Sequence, residues 1–150
     1  MTYTNTTKNV DLTADVIDVR DIIARVEAIE SEVSYKDAGD FGSMEGWLDS
    51  IEQTLTDTDP ETLGEYRTLR MILNDLEGNG GDEQFRGEWY PVTLIADHYF
   101  TAYAREMLAD CGVIPADLPG WVEIDWQSTA DNVSVDYSTV TIQGREYMYR

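Results

Sequence analysis

GNGGDEQFRG, residues 78–87, places four glycines in ten positions and divides the chain into two stretches of different character. Upstream of it apolar residues recur at helical spacing, and downstream short apolar runs alternate with turn residues while aromatic side chains accumulate. Helices followed by short strands predict an α+β fold: an amino-terminal helical pair, then a small mixed α/β module closed by a terminal β-hairpin. The corresponding boundaries are a polar, disordered tail over 1–10, a helical module over 11–80 and the α+β module over 81–150.

Immediately upstream, Asp59 and Pro60 have the residue types of an N-cap and a first helical position. The helix they open carries Leu63, Tyr66, Leu69, Ile72, Leu73 and Leu76 on one face, and Gly78 ends it. Before it, Trp47, Leu48, Ile51 and Leu55 share a face of a short helix that follows the glycine-bearing loop KDAGDFGSMEG, residues 36–46. Further back, Leu12, Val19, Ile22, Val26, Ile29 and Val33 keep a 3-4 spacing that predicts a helix from Leu12, with Thr13 as its cap. So narrow a stripe suits pairing with one other helix, the antiparallel partner being the helix after Pro60. Asp18, Asp21, Glu27, Glu30 and Glu32 fall outside the stripe, which makes the exposed face acidic.

Downstream, residues 92–95 predict a strand, and Asp97 a cap for a helix reaching Cys111, with Gly112 closing it. Residues 121–124 predict a second strand and residues 128–135 a short helix. Alternation on both sides of Gln143-Gly144 predicts the hairpin, Val140 and Ile142 meeting Tyr147 and Tyr149. At 150 residues the chain is long enough for one domain that buries roughly 68–70% of its unfolded surface without a staple.

Thirty carboxylates against ten basic side chains leave a formal net charge of −20. Such a field repels nucleic acid and anionic membranes and favours cationic surfaces, of which the largest in a cell are those that hold DNA or RNA. Twenty charges match the phosphates on about 34 Å of duplex, roughly ten base pairs. A salt-adapted solvation surface is the other reading, because Asp exceeds Glu, Arg exceeds Lys and Thr is abundant.

Chemistry is sparse. Cys111 and His98 are the chain's one cysteine and one histidine, which excludes an internal disulfide and a thiolate zinc site. On a predicted helix they lie about 20 Å apart, too far to act as nucleophile and base. The expectation for Cys111 is a small buried hydrophobe. Asp75, Glu77, Asn79 and Gly80 sit in a calcium-loop register, but Arg86 stands where the bidentate glutamate belongs. No phosphate loop occurs and no carboxylate pair is singled out, so neither catalysis, cofactor nor metal is expected. No apolar run reaches the ~20 residues of a membrane span, and MTYTNTTKNV lacks the parts of a signal peptide.

Three stretches of the second half, YFTAYAREMLADCGVI (99–114), WVEIDWQSTADNVSVDY (121–137) and VTIQGREYMYR (140–150), resemble the ArdA-type antirestriction proteins of phages and mobile elements. They cover about two fifths of the chain and match that family's aromatic helix, its IDW/IDY segment and its terminal aromatic strand. The resemblance implies an elongated acidic dimer, cytoplasmic in a host cell, that copies bent DNA and occupies the DNA groove of a restriction-modification enzyme. On matching positions it implies phosphate-like roles for Glu106, Asp110, Asp125, Asp131 and Asp136. With the acids of the first helix, Asp18, Asp21, Glu27 and Glu30, these form the expected partner-binding set, while Trp121, Trp126 and Tyr137 are expected in the core. The amino-terminal 80 residues do not align to the family. A helical adaptor or oligomerisation protein from a salt-adapted organism, using its Leu12–Val33 seam, stands as the alternative.

Overall fold

The computed structural model describes residues 10–33, 42–115 and 117–150. Its elements are β1 (Val16–Asp18), α1 (Val19–Val33), α2 (Met44–Thr58), α3 (Pro60–Leu76), β2 (Asp82–Phe85), β3 (Glu88–Tyr90), β4 (Thr93–Ala96), α4 (Phe100–Asp110), α5 (Trp126–Val133), β5 (Ser138–Ile142) and β6 (Arg145–Tyr149). The fold is α+β. One antiparallel sheet runs in the order β1-β4-β6-β5, and β2 pairs with β3 as a separate ribbon. Of the tail read over 1–10, only Val10 lies within the described residues, and it packs against the core. Most of the loop read over 36–46 lies outside them.

The sheet is covered on both faces, and β4 shows why. Leu94 and Ala96 join Ile17, Val140, Ile142, Tyr147 and Tyr149 in a core with the apolar faces of α1, α2 and α3. Ile95, opposite Met148 in the β4–β6 register, joins it in a second cluster with Phe100 and Ala104 of α4 and Ala130 of α5. Alternate residues of a strand point to opposite faces, so a strand buried on both sides is apolar throughout, as Leu94-Ile95-Ala96 is. The result is three layers: α1–α3, the sheet, and α4–α5.

The first helix begins at Val19, not Leu12, and Thr13 does not cap it. The carbonyls of residues 12–15 serve the sheet instead. Tyr147 places its hydroxyl 2.9 Å from the Leu12 and Ala14 oxygens, Arg145 donates to the Thr13 oxygen at 2.6 Å, and the Ala96 N–H donates to the Asp15 oxygen at 2.7 Å. Residues 12–15 thus turn against the sheet, and from Val16 the chain extends as β1 along β4. Asp18 then accepts the Arg20 backbone N–H at 2.9 Å.

The GNGGDEQFRG stretch holds more order than a linker. Gly78 takes the left-handed conformation after α3, and Asp82–Phe85 forms a strand that turns on Arg86 and Gly87, both with positive φ, into β3. The first core cluster draws on residues from both sides of this stretch. Downstream, residues 121–124 form no strand, and Asp97 opens a 3-10 turn without a side-chain cap. The terminal hairpin is as expected: Gln143 (φ 51°) and Gly144 (φ 82°) make the two-residue turn, and Val140 faces Tyr147.

Asp59 and Pro60 begin α3 as expected, the Asp59 carboxylate accepting the Thr62 N–H at 3.2 Å and the Thr62 hydroxyl at 2.6 Å. These bonds, the hydroxyl's first, hold the Asp59 carboxyl below its ordinary pKa of 3.8. A lowered folded-state pKa contributes stability that is complete above the unfolded value and lost as pH falls through the folded one. Asp59→Ala is therefore expected to lower the thermal midpoint at about pH 7 and to change it far less at about pH 2, followed by circular dichroism.

Candidate functional site: the acidic surface

Eight arginines and two lysines oppose thirty acids, and the arginines are used internally. Asp18–Arg20 (2.7 Å), Glu65–Arg25 (2.6 Å), Glu52–Arg67 (2.9 Å) and Glu30–Arg86 form ion pairs. Arg70 lies 5.5 Å over the Tyr66 ring, Arg105 5.3 Å over Trp126 and Arg150 5.9 Å over Tyr137. Arg145 takes the Thr13 carbonyl. Both lysines fall outside the described residues.

The four carboxylates paired with arginine are also the only described carboxylates that are not exposed. Every other described acid is exposed, though Asp11 lies within the field of Arg145 and Asp21 and Asp82 within that of Arg20. Arg20 and Arg67 remain 67% and 58% exposed within their pairs, so the outer surface keeps some positive charge beneath a large excess of negative charge.

Of the expected partner-binding residues, Asp21, Glu27, Glu106, Asp110, Asp125, Asp131 and Asp136 are exposed. The sheet separates them. Asp21 and Glu27 belong to the α1–α3 layer, whereas Glu106 and Asp110 on α4 and Asp125, Asp131 and Asp136 on or beside α5 belong to the opposite layer, where α4 and α5 pack together. Within that group Asp125 caps α5, accepting the Ser128 N–H at 3.0 Å, a bond that holds its carboxyl low. Asp131 accepts the Gln127 amide at 3.0 Å. Asp18 is half-buried and engaged with Arg20, whose hydrogen bond lowers its pKa.

Glu30 is a correction. Its residue is 3% exposed, it receives the Tyr66 hydroxyl at 2.7 Å, and Arg86 from the β2–β3 turn closes on it. A carboxylate so enclosed cannot present charge to a partner. Burial first, and the bond to Glu30 second, push the Tyr66 phenol far above its ordinary range. The signal was present: Ile23 also lies on the apolar face, and Glu30 follows it by seven residues, two helical turns.

Two further expectations are corrected. Trp121 is 83% exposed and not in the core, while Trp126 and Tyr137 are half-buried, Tyr137 edge-on to Phe100 at 5.0 Å. Cys111 is exposed, because α4 ends there and turns at Gly112 before any apolar layer covers it. His98 contacts the Asp15 carboxylate at 2.8 Å.

Among the described residues no helix is long and apolar enough to cross a membrane, and no three potential ligands gather around a metal position. In comparisons with known proteins, no family model, curated protein or solved structure matches this chain.

Proposed function

We propose that the protein competes with DNA for the basic surface of a restriction-modification enzyme or another nucleic-acid-binding protein. The reading agrees with the resemblance of residues 89–150 to ArdA-type antirestriction proteins, and one observation carries it: all eight arginines already make contacts within the fold, and the exposed carboxylates far outnumber them. The attraction is that of DNA itself, a row of anions releasing the cations of a groove. Because the acids sit on helices, little ordering opposes binding. The surface best suited to this is the α4–α5 layer, with Glu106, Asp110 and Asp131.

A second reading rests on the fact that exposed acids occur on every helix and on both hairpins. So even a distribution favours water and ion binding in concentrated salt. The experiment is competition for a type I restriction-modification enzyme on its DNA. Glu106→Lys, Asp110→Lys and Asp131→Lys, added in turn, should weaken competition progressively to about tenfold for the triple variant, with circular dichroism unchanged. Raising salt from about 50 to about 200 mM should weaken the parent at least about tenfold. Competition indifferent to both, with stability rising steadily into molar potassium chloride, would establish the solvation surface instead.

A further inference from the structure

The α4–α5 layer also carries an apolar opening in its surface. A cavity of about 540 Å³ opens between the end of α4, the chain after Gly112 and the start of α5, lined by Ala109, Ile114, Leu118, Val122, Ile124 and the Arg105–Trp126 stack. Beside it, Trp121 is 83% and Val113 62% exposed. Each adjoins in sequence a residue that lines the opening, Trp121 next to Val122 and Val113 next to Ile114.

Carboxylates interleave the lining. Glu106 follows Arg105, Asp110 follows Ala109, Asp117 precedes Leu118, and Glu123 and Asp125 flank Ile124. All five are exposed, and Arg105 is held against Trp126. An apolar floor with an acidic margin has a definite complement: a basic polypeptide segment with apolar anchors on one side and Lys or Arg on the other. A second copy of the chain fits badly, since each copy brings a net charge of −20.

We infer that this groove is the docking site of a basic amphipathic segment of the partner protein, its apolar side chains seated against Val122, Leu118 and Trp121 while its cations meet the acidic margin. The inference deepens the competitor reading and rests on it for the partner's class. Carboxylates alone attract any polycation; the groove would select among them, as buried aromatic anchors do at protein interfaces.

The test uses the full chain and three synthetic peptides in titration calorimetry at about 200 mM salt, where long-range attraction is screened. The first peptide carries leucine at helical spacing on one face and lysine on the other, the second is oligolysine of equal charge, and the third replaces each lysine of the first by glutamate. The first should bind about tenfold or more tighter than oligolysine, and the third should not bind. Trp121→Ala and the Leu118→Ser/Val122→Ser pair should bring the first peptide down to the oligolysine level. Trp121 is exposed, so its replacement leaves the fold intact, checked by circular dichroism. Equal binding of the first two peptides, or affinity unmoved by both variants, overturns the inference; so does a dimer in sedimentation that Trp121→Ala dissolves while peptide affinity is unchanged. Failure of DNA competition with peptide selectivity intact would sink the competitor reading and leave the groove standing.

Discussion

Replacing Arg86 by methionine is expected to destabilise the protein by about 3–5 kcal/mol, measured by denaturant unfolding. The residue sits in the β2–β3 turn, yet its guanidinium closes on Glu30 of α1, lies 4.3 Å over the Phe85 ring and 5.6 Å over Trp47 of α2. Glu30 in turn holds the Tyr66 hydroxyl of α3. One cation therefore ties the ribbon to three helices. Methionine keeps much of the stem's packing and removes the charge, which leaves a carboxylate 3% exposed with no cation. That asymmetry gives the large effect: an unpaired buried ion costs far more than the pair contributes. Replacing all three polar groups, as Glu30→Leu, Tyr66→Phe and Arg86→Met together, should recover most of the loss. A single Arg86→Met variant as stable as the parent would show that the cluster does not hold the ribbon.

Gly81→Ala is expected to cost about 3 kcal/mol or more and to detach the ribbon's base. Gly81 has φ +68°, and a Cβ there would lie 1.8 Å from the Tyr90 oxygen and 2.7 Å from the Pro91 Cα. Both are backbone atoms, so no side chain can swing aside. Gly87 makes the comparison: its φ is +76°, but nothing lies within 4 Å of a Cβ. Gly87→Ala should show the left-handed cost alone, about 1–2 kcal/mol. If the two variants melt together, the close approach of residue 81 to Tyr90 is not a constraint on stability.

What could be read from the sequence was what neighbouring residues decide. Asp59-Pro60, Gln143-Gly144 and the apolar faces of α2 and α3 announce themselves because a cap, a turn or a helical face is specified within a few positions. β1 escaped because three residues carry no periodicity, and what makes them a strand is β4, some seventy-five residues away. Phe85 and Tyr90 belong to the core, but the glycines around them suggested only a break. At the candidate site the failure was one of degree. Acidity is plain in the sequence, but the apolar face of α1 is wider than its 3-4 stripe by Ile23, and Glu30 lies on that added edge, buried with it. The groove after Gly112 was hidden because Trp121 and Val122 have the composition of a strand, and only the folded chain reveals them to be exposed.

β5 takes the outer position in the sheet, and Ser138–Ile142 contains no charge, no proline and no bulge. An uninterrupted border of this kind is a template on which another polypeptide can lay a strand. Nothing in β5 itself guards against that. The guard is collective, the mutual repulsion of molecules that all carry the same sign, and it is set by the medium: toward the isoelectric point near pH 4.1 the carboxylates take up protons and the repulsion disappears. Strand addition along β5 is therefore expected to be held off by ionisation and to become easier in acid, while the border strand stays as it was.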